Sequence, residues 1–379
     1  MVAVIYFAHD LWDTAVERRV EMLRAGGASV QVVGFRRRDP ARGEILGDPS
    51  VDLGRVDDGA LARRAATILA RGLSARRWGA GLTDADVIVA RSLELLVLAW
   101  LFRLVTGARA PLVYECLDIH RLMFSKGLMG RALRGLERRL LKHCPLVLVS
   151  SPAFAEHHFA AVHGRRTGVR LIENKLALAV AEAGHLTARP NSPPWRIGWF
   201  GMIRCAKSLQ VLRSLCAALP GVVEVVIAGR VSQGEFEDFD AQVAGEAGIT
   251  FLGPYAPSQL SELYSQVHFV WAIDFFEEGL NSAWLLPNRI YEGCAFGSVP
   301  IALRSTETGR WLMTREIGVM LDAGTPTELA AFFGTLDGAA YAEVARPVAE
   351  LPRSAVQTTQ ADCDALVALL ASAAQGAVQ

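Results

Sequence analysis

Leu286-Pro287-Asn288-Arg289-Ile290-Tyr291-Glu292-Gly293-Cys294-Ala295-Phe296-Gly297-Ser298-Val299-Pro300-Ile301 is the stretch on which the fold turns. Pro287 stands where a helix can begin, because the N–H that proline lacks has no intrahelical partner in a first turn. Arg289 and Glu292 fall three apart on that helix, Gly297 supplies its end, and an unbroken apolar strand follows at Ser298–Leu303. A helix running into a fully apolar strand is one step of a parallel sheet covered on both faces. A helix N-terminus with an arginine in its first turn is also an anion site. The plain alternative is a proline-initiated helix with an Arg289–Glu292 surface pair.

The same rhythm extends outward in both directions. Strand-like runs at Arg196–Phe200, Val222–Ala228, Ile249–Leu252, Phe269–Ala272 and Gly318–Leu321 alternate with amphipathic stretches. The order restarts in the first half, with strands expected at Val2–Ala8, Ser29–Phe35, Asp86–Ala90, Pro111–Glu115, Leu146–Ser150 and Val169–Ile172. Between the halves, Ala188–Pro194 carries three prolines and reads as the linker. A chain of 379 residues is too long for one ordinary core. The expectation is an α/β protein of two Rossmann-like, doubly wound domains facing across a cleft. They take residues 1–190 and 191–355, with a last helix in 356–379 crossing back to the first domain.

The zero net charge conceals a split. Residues 1–190 hold 28 Lys and Arg against 19 Asp and Glu, while residues 191–379 hold 11 against 20. The first half should therefore face something anionic. Six scattered cysteines without metal-like spacing read as reduced, buried thiols. Met1 leads straight into a strand rather than a signal peptide, and Leu93–Val105 is too short to span a bilayer. A cytoplasmic chain is expected.

Several motifs of the second half carry a resemblance. The Pro287 segment resembles the "LPNK-x-YE…G-x-PVI" signature of GT-B glycosyltransferases. Gly201-Met202-Ile203-Arg204-Cys205-Ala206-Lys207-Ser208, after a strand, is similar to the "G-x-(I/L)-R…K-S/G" element that opens their donor domain. Ala228-Gly229-Arg230 resembles a "GxG" strand end with Arg230 in place of the second glycine, and Ile249–Tyr255 resembles "V-x-F-x-G". The resemblance covers roughly Pro194–Phe333, and the first half only in outline. It implies a transferase of bacterial exopolysaccharide assembly that takes a nucleoside-diphosphate sugar, read as a UDP-sugar such as UDP-glucuronate or UDP-glucose. Arg204, Lys207 and Arg289 would neutralise the diphosphate, Glu292 would hold the ribose, and Gly201, Met202, Arg230, Tyr255, Asn288 and Tyr291 would complete the donor site. Many retaining members carry a glutamate eight positions before the second one; here that position is Trp284. Retention is thereby put in doubt, and inverting members such as the xanthan glucuronosyltransferase come into view.

An inverting transfer needs a general base on the acceptor hydroxyl. Tyr114-Glu115-Cys116-Leu117-Asp118-Ile119-His120 follows a strand, and Asp118 is the first candidate with His120 second; both could instead cap or pack. Asp13 is a candidate acceptor contact or a helix cap. Arg121–Lys142 holds seven Lys and Arg and one acid, Glu137, among leucines and methionines. Such a basic amphipathic stretch reads as a face for the inner-membrane surface, where a lipid-pyrophosphate-linked saccharide would be the acceptor, or as an ordinary helix with a solvated basic side.

Other signals are set aside. Asp84-Ala85-Asp86 and Asp238-Phe239-Asp240 read as structural rather than metal-binding, and His157-His158 diverge by about 100° on a helix and cannot share an ion. No metal or cofactor is expected. No GxGxxG follows a strand, and no GxxxxGK[ST] or GxSxG occurs, which excludes the common dinucleotide, P-loop and hydrolase sites. Two rival readings stand: a sugar-nucleotide epimerase on the same fold, and a non-catalytic nucleotide- or polyanion-binding module. No nucleic-acid partner is expected, for no stacking platform is visible.

Overall fold

The computed structural model describes residues 1–37, 50–56, 61–178, 189–232 and 234–376. The chain divides into two compact units, Met1–Leu178 with Thr358–Gln379, and Ala179–Gln357.

The first unit holds seven strands: β1 (Ala3–Ala8), β2 (Ser29–Arg36), β3 (Ser50–Arg55), β4 (Val87–Arg91), β5 (Leu112–Cys116), β6 (Leu146–Val149) and β7 (Val169–Leu171). They are all parallel, in the order β3-β2-β1-β4-β5-β6-β7. Strand order reverses between β1 and β4, and in such sheets ligands bind beyond the carboxyl ends at that point. β3 has no counterpart among the expected strands: Ser50-Val51-Asp52-Leu53-Gly54-Arg55 mixes charge and glycine, as an edge strand tolerates. Its partner β2 supplies the apolar character that the register needs.

The second unit repeats the plan with β8 (Trp195–Ile203), β9 (Val223–Val231), β10 (Ile249–Phe251), β11 (Phe269–Trp271), β12 (Val299–Leu303) and β13 (Val319–Leu321). Their order is β10-β9-β8-β11-β12-β13, again parallel, with the switch between β8 and β11. Its core is built around Trp195, Trp199 and Trp271, each nearly inaccessible. β8 and β9 run three residues past the expected ends, so that Gly201 pairs with Gly229 and Met202 with Arg230. A Cβ on Gly229 would lie 1.7 Å from the Gly201 carbonyl oxygen, so only glycine permits this approach.

The helix Gln360–Ala374 belongs to the first unit and opens on a capping box between Thr359 and Asp362. Its buried Cys363, Leu366, Val367, Leu370 and Ala373 join Val16, Val20 and Leu23 of the helix Thr14–Ala25 in one core. The boundary expected at residue 190 lies earlier. Arg189 already belongs to the second unit, where its guanidinium donates to the carbonyls of Gly297 (2.8 Å), Tyr264 (2.8 Å) and Phe296 (2.5 Å). Ala188, the start of the expected linker, lies outside the described residues.

Candidate functional site

In the second unit several of the expected donor residues gather at the β8–β11 switch. Gly201 has φ +106°, and the space its missing Cβ leaves is open. A side chain there would strain the backbone near the strand's carboxyl end. Three residues on, Arg204 Nη2 donates to Asp274 Oδ2 at 2.9 Å. Lys207, in the first turn of the helix Ala206–Ala218, donates to Glu278 Oε2 at 2.6 Å and lies over the Phe275 ring. Pro287 caps the helix Asn288–Ala295, and Asn288 and Arg289 form its first turn. Arg289 Nη1 donates to the Trp271 carbonyl at 3.1 Å, which holds the arginine at the end of β11. Burial opposes the charge of Asp274, but Arg204, Arg289 and the Phe276 N–H outweigh it and hold the carboxyl below its ordinary range. The result is an uncovered glycine, a helix N-terminus and three cations at one switch point.

Not every expected donor residue faces that space. Tyr291 is fully buried and packs edge-on against Trp311 at 5.5 Å, so its place is in the core rather than the donor site. Arg289 and Glu292 also turn to different partners: the nearly buried Glu292 accepts the Tyr264 hydroxyl at 2.9 Å. Met202 is half exposed, opposite the exposed Arg230. Tyr255 is half-buried and close enough to Tyr264 to influence its phenol. Trp284 ends the short helix Asn281–Trp284. Asp274 was missed by sequence reasoning, because a lone acid after an apolar strand carries no spacing signal. Its place beside the switch strand was the available clue.

In the first unit, the β1–β4 switch is built on a buried charge cluster. Glu115 on β5 accepts from Arg19 Nε at 2.5 Å and from the Tyr6 hydroxyl, and Arg91 Nη1 donates to the Tyr6 oxygen at 3.2 Å. Burial disfavours these charges, yet Arg19, Arg91 and the Tyr6 hydroxyl keep Glu115 below its ordinary range. Arg91 remains above its own ordinary value through Tyr6, Glu115, Asp13 and Asp118, which outweigh its burial. Its Nε and Nη2 are buried without a hydrogen-bond partner among the described residues, as is Ser92 Oγ. Ser92 itself holds φ +78° and ψ 160°, a conformation that favours glycine.

The candidate bases separate around this cluster. His120 is exposed, and its Nδ1 accepts the Leu122 N–H at 3.3 Å, so the lone pair a base needs is spent on capping a 3-10 turn. Asp118 is exposed beyond β5. Asp13 caps the helix Thr14–Ala25, its Oδ1 taking the N–H groups of Ala15 (2.9 Å) and Val16 (3.1 Å). Its other oxygen lies 3.7 Å from His9 Nε2. His9, unselected at the sequence level, stands just past β1, and burial pushes its imidazole below the ordinary value against the pull of Asp13. It is therefore neutral near pH 7 and able to accept a proton.

The two DxD pairs are accounted for locally. Asp86 accepts the Ala3 N–H at 2.8 Å at the amino edge of the first sheet, and Asp238 caps the helix Phe239–Val243.

Two doubly wound units, with glycine and cations at the second switch point, follow the GT-B plan, and comparison with known proteins agrees. A family profile described as "Glycosyl transferase 4-like domain" matches residues 13–175, the half whose resemblance was faint. The chain is 43% identical over 378 residues to the "Succinoglycan biosynthesis protein ExoL" of Rhizobium meliloti (strain 1021), covering 98% of this chain and 94% of that one. It thus belongs to the 4-like glycosyltransferases of exopolysaccharide biosynthesis and is a glycosyltransferase of the GT-B type. Among solved structures it resembles Anabaena Alr3699/HepE in complex with UDP and glucose, with TM-score 0.72, 17% identity, and 97% and 98% of the two chains covered. A putative UDP-N-acetylglucosamine 2-epimerase from Listeria monocytogenes shares the fold as well, with TM-score 0.61, 11% identity, and 99% and 98% covered. The fold alone therefore does not separate transferase from epimerase; membership of the family does.

Proposed function

We propose that the chain transfers a sugar from a UDP-sugar to a lipid-linked saccharide in exopolysaccharide assembly, with no metal at the donor site. One observation carries the reading: the uncovered, positive-φ Gly201 lies at the same switch point as Arg204 and the arginine-bearing start of the helix Asn288–Ala295. A diphosphate there meets backbone N–H groups and guanidinium together, and the same groups stabilise the charge that develops on the leaving nucleotide. Arg204 and Lys207 exchange their carboxylate partners, Asp274 and Glu278, for phosphate oxygens. Glu292 and Tyr255 border the nucleoside. The bound UDP and glucose of HepE support this choice of donor. On the acceptor side, His9 accepts the proton of the attacking hydroxyl, with Asp13 orienting its ring and Asp118 as the alternative base.

Membrane association rests on the helix Leu128–Leu141. It exposes Leu128, Met129 and Leu136 beside Arg131, Arg138 and Arg139, while Gly130, Glu137, Leu140 and Leu141 face inward. Apolar tips flanked by arginines suit an anionic bilayer surface.

A thermal-shift panel of UDP, GDP, ADP, dTDP and CMP tests the donor assignment. Stabilisation by UDP alone, lost in Arg289→Ala, is the expected result. Equal response to every nucleotide, or a UDP shift untouched by the substitution, overturns it.

A further inference from the structure

His157 and His158, neighbours that no α-helix could aim at one ion, lie in a backbone that is not α-helical. Phe154–Ala160 forms a π-helical turn, and just beyond it the His163 N–H donates to the His158 carbonyl at 3.3 Å. A π turn brings residues five apart onto one side, so His158 is matched with His163 while His157 faces outward. Both rings aim Nε2 at the same atom, Glu137 Oε2, each at 2.7 Å. The Tyr114 hydroxyl donates to the other oxygen, Oε1, at 3.2 Å. The side chains are 3%, 1% and 2% exposed for His158, His163 and Glu137, so the cluster is buried.

The arrangement is unusual for a carboxylate. A buried carboxylate ordinarily needs a charged partner, yet Glu137 is met by His158 and His163. Its partners are two imidazoles and a phenol, none permanently charged. Among the described residues His163 Nδ1 is buried without a hydrogen-bond partner, and the ring is held through Nε2. The cluster is also separate from the transfer chemistry. Tyr114 and Glu115 are successive residues of β5 and point to opposite faces of the sheet, Glu115 toward Tyr6 and Arg19 and Tyr114 toward Glu137.

We propose that Glu137, His158 and His163 form a structural site for one borderline divalent cation, zinc being the type, bound by Glu137 Oε2 and the two Nε2 atoms. Two imidazoles and a carboxylate are a zinc-like donor set, and the three ligand atoms already lie within 4.8 Å of one another. Bonds of about 2.0–2.2 Å place tetrahedral ligands about 3.3 Å apart, so the Glu137 oxygen draws back from each ring by roughly half an ångström. The two Nε2 atoms, within 4.8 Å of each other, close toward that spacing. Each ring then binds through a bare Nε2 and carries its proton on Nδ1, and the cation supplies the charge that the buried carboxylate lacks. The ion pins the helix Leu128–Leu141 to the segment after β6.

The test uses the full chain without a histidine tag, stripped with EDTA and titrated with Co2+ and then Zn2+. One Co2+ per chain, with the intense visible bands of a low-coordinate site that Zn2+ bleaches, is expected, together with a Tm that rises with free Zn2+. His157→Ala keeps the bands and His163→Ala loses them. Should His163→Ala fail to fold, Glu137→Gln, which preserves size and hydrogen bonding, must still abolish them. Absence of bands and of any Tm shift in the unaltered chain overturns the proposal, as does Co2+ binding that survives Glu137→Gln; the three residues are then a hydrogen-bonded lock only. UDP binding is unaffected by either outcome, which separates this test from that of the donor site.

Discussion

Single residues set the chemistry at both switch points. Arg289 sits in the first turn of its helix, anchored on the Trp271 carbonyl, and a charge-assisted bond from such a group to a phosphate contributes about 1.5–3 kcal/mol. Arg289→Ala should therefore weaken UDP binding roughly 10- to 150-fold, measured by calorimetry. His9 makes a second prediction. A base must be deprotonated to act, and burial lowers the His9 value. Activity should therefore fall only as pH drops through a point below the ordinary imidazole value, and His9→Asn should remove that acid limb along with most of kcat; a profile unchanged in the variant would move the base to Asp118. Ser92 makes a third. Its positive φ costs a non-glycine residue about 1–3 kcal/mol, and Ser92→Gly should raise unfolding stability by about 1 kcal/mol in urea titration.

Elements place these residues and also close the fold. The helix Gln360–Ala374, the last in the sequence, lies against one of the first, and Gln360 Nε2 donates to the Ala25 carbonyl at 2.8 Å. Leu366 is fully buried there, so Leu366→Ala should cost about 2–5 kcal/mol by denaturant unfolding, with the C-terminal helix cleaved first in limited proteolysis. A run of alanine, leucine and valine makes this helix legible in the sequence, and its crossing back was expected. The π turn at Phe154–Ala160 was not, because Phe-Ala-Glu-His-His-Phe-Ala has an ordinary helical composition. Its rings meet Glu137 on the helix Leu128–Leu141, a partner that the local sequence does not name. Strand ends at Gly201–Ile203 were equally hidden: continuous pairing with Gly229–Val231 needs two glycines that face each other, and one strand read alone cannot announce its partner.

At the scale of the whole molecule, charge is distributed by half. The first half carries the positive excess, and part of it lies on the helix Leu128–Leu141 beside exposed Leu128 and Met129. Vesicles rich in anionic lipid should retain the chain at low salt and release it as salt rises, since such attraction is screened within about 10 Å at 0.1 M. Replacing Leu128 and Met129 with glutamate should abolish retention in a sedimentation assay without loss of UDP binding; equal retention by neutral and anionic vesicles would defeat the idea.

The sequence by itself determined the doubly wound class, the two-part organisation and the proline-started helix of Leu286–Ile301. These are written in local terms: apolar runs of strand length, a proline before a helix and a glycine after a strand, each constraining its own backbone. Tertiary structure alone decided which charges meet. Asp274 between Arg204 and Arg289, Glu115 between Tyr6 and Arg19, and Glu137 against His158 and His163 join residues from separate strands and helices. His9 likewise emerges as the base candidate only because burial lowers its imidazole while His120 spends its lone pair on a turn. The physical reason is common to all of them. A titratable group takes its character from desolvation and from neighbours within a few ångströms, and chain folding rather than chain order supplies both.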